Sequence, residues 1–209
     1  METEAKIPTG GYWSAHQYKR HSVQEIEEFM GWSKLKEICE AALTVRDRAL
    51  PAALFETGTR ISECLQLKPE HFDLSDPQWV KCVDVPLVKQ KKIGRPFRTF
   101  SFLRAEPLWI YVENHLSTTK QGSQLFPFKR KRAYQIITEL GVSVKLELWD
   151  HWFRSQRASQ MGAEYGLTES QLMEWFKVRD PTWARRYCKR GDWGLRKLIA
   201  ERQPSEWRA

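Results

Sequence analysis

Residues 45–67 have the sequence VRDRALPAALFETGTRISECLQL, and this stretch decides the fold. Its apolar residues recur at helical spacing up to Thr57, which predicts a helix that ends at Gly58. Pro51 lies inside that pattern, so a kink or a late helix start is expected. Helical spacing resumes over residues 61–67. The stretch therefore predicts two helices joined by a tight Thr-Gly turn.

The second of these helices begins with Arg60, three residues before Glu63. Residues three apart are neighbours on a helix surface, so the carboxylate can pair with the guanidinium and fix its direction. The functional interpretation is an oriented arginine in a binding site. The alternative is an ordinary surface ion pair at a helix start, and these two residues alone leave both interpretations open.

The 209-residue chain has a formal net charge of +8, divided between −4 in residues 1–86 and +12 in residues 87–209. With 41% hydrophobic and 12% aromatic residues, the chain is too apolar to be disordered. No apolar run has the ~18 residues of a membrane span, and the N-terminus lacks a signal-peptide core. Collagen, coiled coil and secreted mini-protein are also excluded. We expect a soluble globular protein whose simplest polyanionic partner is nucleic acid.

The cysteines are isolated, without a C-x-x-C pair or a Cys/His cluster at zinc spacing. This scattered pattern predicts reduced thiols, an intracellular protein in the cytoplasm or nucleoid, and no bound metal. The four positions are Cys39, Cys64, Cys82 and Cys188.

The remaining pattern is helical with one short alternating region. Residues 79–85 and 97–102 alternate and are rich in β-formers, so two strands are expected there. Ser22-Val-Gln-Glu25 has capping-box spacing and predicts a helix start. Further helices are predicted over 34–43, 105–116, 131–140, 151–164, 169–177, 181–190 and after residue 192. The predicted fold class is mainly α with a small antiparallel β-sheet, an α+β domain.

A basic loop over residues 89–96 joins the two predicted strands. Such a loop can enter a groove of DNA, and a lysine held close to a phosphate can act as a general acid. The alternative, favoured when the loop is considered alone, is a sheet edge guarded by lysines against strand pairing. Its basic residues are Lys89, Lys91, Lys92 and Arg95.

Two later segments carry groups suited to phosphodiester chemistry. His151 and Arg154 lie three apart on a predicted helix, which places a proton-transfer group beside a cation, although this pattern is common by chance. Tyr187 lies in DPTWARRYCKR, residues 180–190, where the cations favour a phosphate and a phenolate. A core or rim aromatic is the alternative for Tyr187, and Trp183 four residues earlier fits that alternative.

In chain order, these segments resemble the catalytic domain of tyrosine recombinases, the phage-integrase family. Residues 57–63 match the family's first-arginine motif almost residue by residue. Arg46-Asp47 and residues 65–67, on either side of it, lie where the family has similar residues. His151-Trp-Phe-Arg154 lies at the second-arginine motif, and Arg-Arg-Tyr187 at the nucleophile motif. The resemblance covers about residues 21–190.

The resemblance implies a site-specific recombinase or integrase that cuts and rejoins duplex DNA through a 3′-phosphotyrosyl intermediate. Tyr187 would attack the phosphodiester, and Arg60 and Arg154 would stabilise its transition state. The bond energy stays in the phosphotyrosine, so neither ATP nor a metal nor another cofactor is implied. Such an enzyme serves DNA integration in mobile genetic elements, and topoisomerase-like relaxation or hairpin-telomere resolution would use the same residues.

The supporting roles also follow from the resemblance. Lys89, or Lys91, would protonate the leaving 5′-oxygen, His151 would assist proton transfer at the nucleophile, and Glu63 would orient the first arginine. The implied partners are duplex DNA, further copies of the chain in a dimer or tetramer on DNA, and accessory DNA-binding factors, with no membrane. The expected DNA-binding residues are Lys91, Lys92, Arg95, Lys129, Arg130, Lys131, Arg132, Arg185 and Arg186.

Two departures from the family pattern affect these expectations. Val178 stands nine residues before the nucleophile, where the family has a histidine or tryptophan, and valine cannot donate to a phosphate. Ser155-Gln156 follows the second arginine where many relatives have His-Thr. Either activity is weak or Trp175 or Trp183 takes over the lost donor. A non-catalytic DNA-binding or regulatory homologue with a degenerate active site is the alternative, and an RNA-binding helical protein is a weaker one.

The chain is expected to divide into an extended lead-in (1–21), a catalytic domain (22–190) and a C-terminal helix or tail (191–209). The 21 residues ahead of Ser22 leave no room for the N-terminal clamp domain of relatives that act alone. A minimal recombinase, an excised catalytic domain and a homologue that depends on partners are all consistent with this. The tail has an apolar stripe that can dock on a neighbouring protomer or on its own domain.

Overall fold

The computed structural model describes residues 29–88 and 97–188, which form helices around a small sheet. The strands are β1 (Phe72–Asp73), β2 (Trp79–Pro86) and β3 (Phe97–Leu103). The mainly helical fold with a small antiparallel sheet is therefore confirmed. The α-helices are α1 (Trp32–Glu40), α2 (Val45–Thr57), α3 (Ile61–Cys64), α4 (Trp109–Leu116), α5 (Arg130–Ser143), α6 (Asp150–Ala163), α7 (Glu169–Phe176) and α8 (Pro181–Arg185).

Helix α2 is the centre of the core. Its residues 49–57 are all buried, and it packs against α1, α4 and α6. The hydroxyl oxygen of Thr44 caps its first turn by accepting from the Asp47 amide at 3.1 Å. The helix therefore begins at Val45 with Pro51 inside it, and the alternative of a late start is wrong.

The sheet is antiparallel in the order β1-β2-β3. β2 and β3 alternate between buried and exposed side chains, as expected for a sheet with one face on the core. A bulge between Cys82 and Val85 places Asp84 at φ 50°, in the left-handed region. Strand β1 was not predicted, because two residues are too short to show alternation.

Several predicted boundaries differ from the structure. Helix α8 ends at Arg185 rather than 190, so Tyr187 follows the helix in a turn. Helix α4 starts at Trp109 rather than 105, and residues 29–31 are not helical. The lead-in, Ser22, the basic loop with its four cations, and the tail lie outside the described residues.

Two further observations concern the described part of the chain. The four cysteines are free thiols, and burial raises the pKa of Cys39, Cys64 and Cys82. Among residues 29–88 and 97–188, none of the helices is both long and apolar enough to cross a bilayer.

Candidate active site

Arg60 is held at the turn between α2 and α3. Gly58 ends α2 at φ 54°, and an added Cβ there would lie 2.6 Å from Phe176 and 2.8 Å from Trp175 on α7. Only glycine fits this left-handed position and its close neighbour. The buried Glu63 carboxylate then accepts from the Arg60 amide at 3.0 Å and from its Nη1 at 2.8 Å. The expected pair is present, and the Arg60 side chain remains 18% exposed.

Arg154 lies in the second turn of α6 and is only 2% exposed. Its Nη1 donates to the Gly58 carbonyl, and its Nη2 donates to the Phe176 carbonyl at 3.1 Å. Its guanidinium lies over the ring of Phe176 at 4.8 Å and near that of Trp183 at 5.5 Å. The second arginine of the motif is thus buried between helix ends.

The electrostatics show that these groups form one cluster. Burial lowers the pKa of Arg154 well below its usual range, and the cations of Arg98 and Arg60 lower it further. Glu63 and Tyr187 act on the same guanidinium in the opposite direction. Three arginines, one carboxylate and one phenol therefore converge on one part of the molecule.

Arg98, which was not among the predicted site residues, lies on β3 and is 2% exposed. It donates through Nη1 to the Trp175 carbonyl at 3.1 Å and through Nη2 to the Thr57 carbonyl at 2.5 Å. Burial lowers its pKa to about 10. A signal was available, because alternation puts Arg98 on the same inner face of the strand as Phe100 and Phe102.

Tyr187 follows the end of α8 and is 7% exposed. Its hydroxyl donates to Ser155 Oγ at 3.1 Å, directly after Arg154 on α6. Its ring packs edge-to-face on Trp183 with centroids 4.9 Å apart. The phenol therefore lies beside the arginine cluster but is largely closed to solvent.

The other motif residues are placed as follows. His151 is exposed in the first turn of α6. Val178 is half-buried, and its amide donates to the Met173 carbonyl at 3.0 Å. The indole N–H of Trp175 donates to the Ser101 carbonyl at 3.3 Å. Of the two tryptophans, Trp183 is therefore the one whose ring contacts Tyr187.

The basic residues of α5 and α8 lie on the surface. Arg46 at the start of α2 lies over the ring of Phe128, 5.1 Å from its centroid, which places it near the start of α5. Arg185 pairs with Glu169 at 3.4 Å. The exposed cations that were expected to bind DNA are Lys129, Arg130, Lys131, Arg132, Arg185 and Arg186.

A second buried charge network was also missed. Arg157, fully buried one turn after Arg154, donates to both carboxylate oxygens of Glu106 and lies 3.6 Å from Glu56. Burial and the neighbouring Glu106 carboxyl raise the pKa of Glu56. Burial opposes ionisation of Glu106, but the Arg157 cation and the hydrogen bonds from Arg157 and Tyr165 together outweigh burial and lower the pKa of that carboxyl. The network joins α2, α6 and the segment between β3 and α4.

Fold and site together define a class: an α+β domain in which a Thr-Gly turn, a core helix and a late tyrosine bring two arginines and a phenol together. Comparison with solved structures confirms the fold that the sequence motifs predicted, that of the tyrosine-recombinase catalytic domain. The crystal structure of XerA recombinase aligns with a TM-score of 0.59 at 17% identity over 84% of this chain and 63% of that one.

Two further structures agree. XerH site-specific recombinase bound to difH substrate aligns with a TM-score of 0.61 at 15% identity, over 84% of this chain and 54% of that one. The catalytic domain of bacteriophage HP1 integrase aligns with a TM-score of 0.54 at 16% identity, over 87% of this chain and 98% of that domain. The chain thus spans between half and two thirds of the two Xer proteins. No family model and no curated protein matches the sequence.

Proposed function

We propose that this chain is the catalytic domain of a site-specific DNA recombinase or integrase that cuts and rejoins duplex DNA through a 3′-phosphotyrosyl intermediate. One observation carries the proposal: Arg154, remote in sequence, donates to the Gly58 carbonyl in the turn that carries Arg60, and Tyr187 is hydrogen-bonded to Ser155 directly after Arg154. The shared fold with XerA recombinase, XerH site-specific recombinase and the HP1 integrase domain supports it.

In the proposed reaction, the Tyr187 oxygen attacks a backbone phosphorus and the bond to the 5′-oxygen breaks. This leaves a 3′-phosphotyrosyl link and a free 5′-hydroxyl, and attack by that hydroxyl reverses the step. Arg60, held by Glu63, binds a non-bridging oxygen in the transition state. Arg154 binds the other, which requires it to exchange the carbonyls of Gly58 and Phe176 for phosphate oxygens.

Two side chains would handle the protons. Lys89, or Lys91, gives a proton to the leaving 5′-oxygen, and His151 accepts the proton of the Tyr187 hydroxyl. His151 is exposed, so it can reach a DNA backbone laid over the site. The surface cations of α5 and α8, with the basic loop, would hold the duplex through its phosphates. Further copies of the chain and accessory DNA-binding factors would complete the assembly.

A second candidate function is favoured by two specific observations. Arg154 and Tyr187 are 2% and 7% exposed, and Val178 occupies the place of a phosphate donor. A DNA-binding or regulatory homologue without activity would tolerate both features. The two functions are separated by a covalent protein–DNA adduct, which only the first produces.

The experiment uses a pool of duplexes with a randomised centre and sulfur in place of a 5′-bridging oxygen. Cleavage expels a 5′-thiolate that rejoins poorly, so the adduct accumulates and survives denaturing electrophoresis. We expect adduct with the wild-type chain, linked to Tyr187 by peptide mass, and none with Tyr187→Phe. The matched control is Tyr111→Phe, whose hydroxyl donates to Glu40 on α1. Retention of bound duplex without adduct would support the second candidate.

The same substrate tests the general acid. A thiolate leaves without being protonated, so Lys89→Ala should cleave the sulfur-containing duplex at close to the wild-type rate. On the ordinary phosphodiester we expect a loss of at least ~10²-fold, within the range of general acid catalysis. Lys91→Ala measured in parallel decides which lysine acts. Equal losses on both substrates for each lysine would contradict the assignment.

A further inference from the structure

Arg98 joins two helix ends that flank the proposed catalytic turn. Its two Nη atoms donate to the carbonyl of Thr57, the last residue of α2, and to the carbonyl of Trp175 near the end of α7. Carbonyls in the last turn of a helix have no partner within the helix and carry partial negative charge. A guanidinium is planar and can serve two such acceptors at once.

Arg154 makes the same connection one residue further along each segment. Its acceptors are the carbonyls of Gly58 and Phe176, which directly follow the two acceptors of Arg98. Two arginines from different elements, β3 and α6, therefore join the ends of α2 and α7 by hydrogen bonds.

Arg98 and Arg154 have different roles in the proposed reaction. Arg154 must give up its hydrogen bonds to the carbonyls of Gly58 and Phe176 in order to bind phosphate. The two bonds made by Arg98 then remain to join the helix ends. Arg98 lies deep in the inner face of β3, with its guanidinium 4.3 Å from the ring of Phe100 and 5.3 Å from that of Trp175. It is thereby held against its two carbonyls by packing as well as by hydrogen bonds.

We infer that Arg98 is a positioning residue of the site. It keeps the turn that carries Arg60 fixed against the end of α7 while Arg154 engages phosphate. This inference rests on the proposed function and adds a residue that none of the recombinase motifs in the sequence contains. Because Arg98 contacts carbonyls rather than DNA, it should affect the chemical step more than DNA affinity.

The test compares Arg98→Lys and Arg98→Met with the wild-type chain. Lysine keeps the charge but has a single ammonium that cannot serve both carbonyls in the same geometry. We expect both variants to bind the sulfur-containing duplex within about twofold of the wild-type Kd, while the single-turnover rate of adduct formation falls ~10- to 100-fold. The matched control is Arg104→Lys, directly after β3, whose side chain pairs with Glu113 on α4.

Four outcomes would overturn the inference. They are a wild-type adduct rate in Arg98→Lys, full rescue by lysine with loss only in Arg98→Met, a loss of DNA affinity equal to the loss of rate, and failure of both variants to fold. The second would show that charge alone matters, and the last that Arg98 belongs to the folding core. Thermal unfolding and circular dichroism identify the last outcome.

A separate measurement keeps this inference apart from the proposed function. If the wild-type chain forms no adduct, the proposed function is contradicted, and Arg98 is then judged by hydrogen exchange without DNA. We expect amides 58–60 and 174–178 to exchange at least ~10-fold faster in Arg98→Lys than in Arg104→Lys, because the buried hydrogen bonds that join the two segments are lost. Unchanged exchange would overturn the positioning role.

Discussion

The hydroxyl of Tyr187 donates a hydrogen bond to Ser155 Oγ across 3.1 Å, which ties the proposed nucleophile to the helix that carries Arg154. The next residue, Gln156, accepts from the Met30 amide at 2.8 Å. Residues 154–157 are all buried, and each contacts a different part of the chain. This one turn of α6 therefore links the arginine cluster, Tyr187 and the segment that precedes α1.

Ser155→Ala should make the Tyr187 side chain more mobile and more accessible to reagents. The substitution removes the acceptor of a buried hydroxyl, so we expect a loss of about 1 kcal/mol in the free energy of unfolding and faster nitration of Tyr187 by tetranitromethane. Urea unfolding and peptide mass spectrometry measure the two effects. The matched control is Ser159→Ala one turn later, because Ser159 Oγ is buried without a partner among the described residues. Equal nitration in the two variants would contradict the role of the Ser155 bond.

Arg157→Met should be among the most destabilising single changes in α6. It leaves the carboxyls of Glu56 and Glu106 buried without their cation, and breaking a buried pair in this way removes about 3–5 kcal/mol of stability. Arg132→Met, which loses an exposed pair with Glu139, should change stability by less than about 1 kcal/mol. Urea unfolding of both variants at pH 7 makes the comparison, and similar losses would show that the buried network contributes no more than a surface pair.

The raised pKa of Glu56 predicts a dependence of stability on pH. The folded chain holds a proton that an unfolded carboxyl releases near pH 4.3, so the stabilisation from this group is complete below that pH and falls as pH rises. Glu106 behaves in the opposite way: because its pKa is lowered, its contribution to stability is lost only as pH falls, below the pH range of the experiment. We expect the urea midpoint of the wild type to fall relative to that of Glu56→Gln between pH 5 and pH 8. A constant difference would show that Glu56 does not titrate there.

The turn of the first arginine could be predicted because its determinants are local. The apolar spacing of α2, the glycine at φ 54° and the pairing of Arg60 with Glu63 all lie within residues 45–67. The two main strands were predicted for the same reason, since alternation is a property of consecutive residues. These elements set the fold class and the order of the motif residues.

Arg98 and Arg157 could not be predicted in the same way, because their partners lie far along the chain. Arg98 binds carbonyls of residues 57 and 175, and Arg157 binds the carboxylate of Glu106. Alternation along β3 indicated that the Arg98 side chain faces inward, but the distant partners that make the burial of each arginine possible are brought together only by the fold. The burial of Tyr187 also depends on tertiary contacts, here with Ser155 and Trp183.

Gly162→Ala should displace Tyr187, the proposed nucleophile, although alanine stabilises the helix. Alanine is favoured over glycine in a helix interior by about 1 kcal/mol, but a Cβ at residue 162 would collide with the main-chain carbonyl of Tyr187. We expect faster hydrogen exchange over residues 182–188 and faster nitration of Tyr187, with α2 and the sheet unaffected. Ala163→Gly, at an exposed neighbouring position, should leave residues 182–188 protected. Exchange unchanged by Gly162→Ala would show that the segment can shift without opening.

Trp183→Phe tests whether Trp183 replaces the donor that Val178 lacks. Its ring lies 4.9 Å from that of Tyr187 and 5.5 Å from the Arg154 guanidinium, so a phosphate that reaches both groups comes near its indole. Phenylalanine keeps the aromatic packing and removes only the N–H. If that N–H binds a transition-state oxygen, the adduct rate should fall ~10²–10³-fold with unchanged duplex affinity. Trp79→Phe, on the exposed face of β2, serves as the control, and a wild-type rate in Trp183→Phe would show that the site works without a donor there.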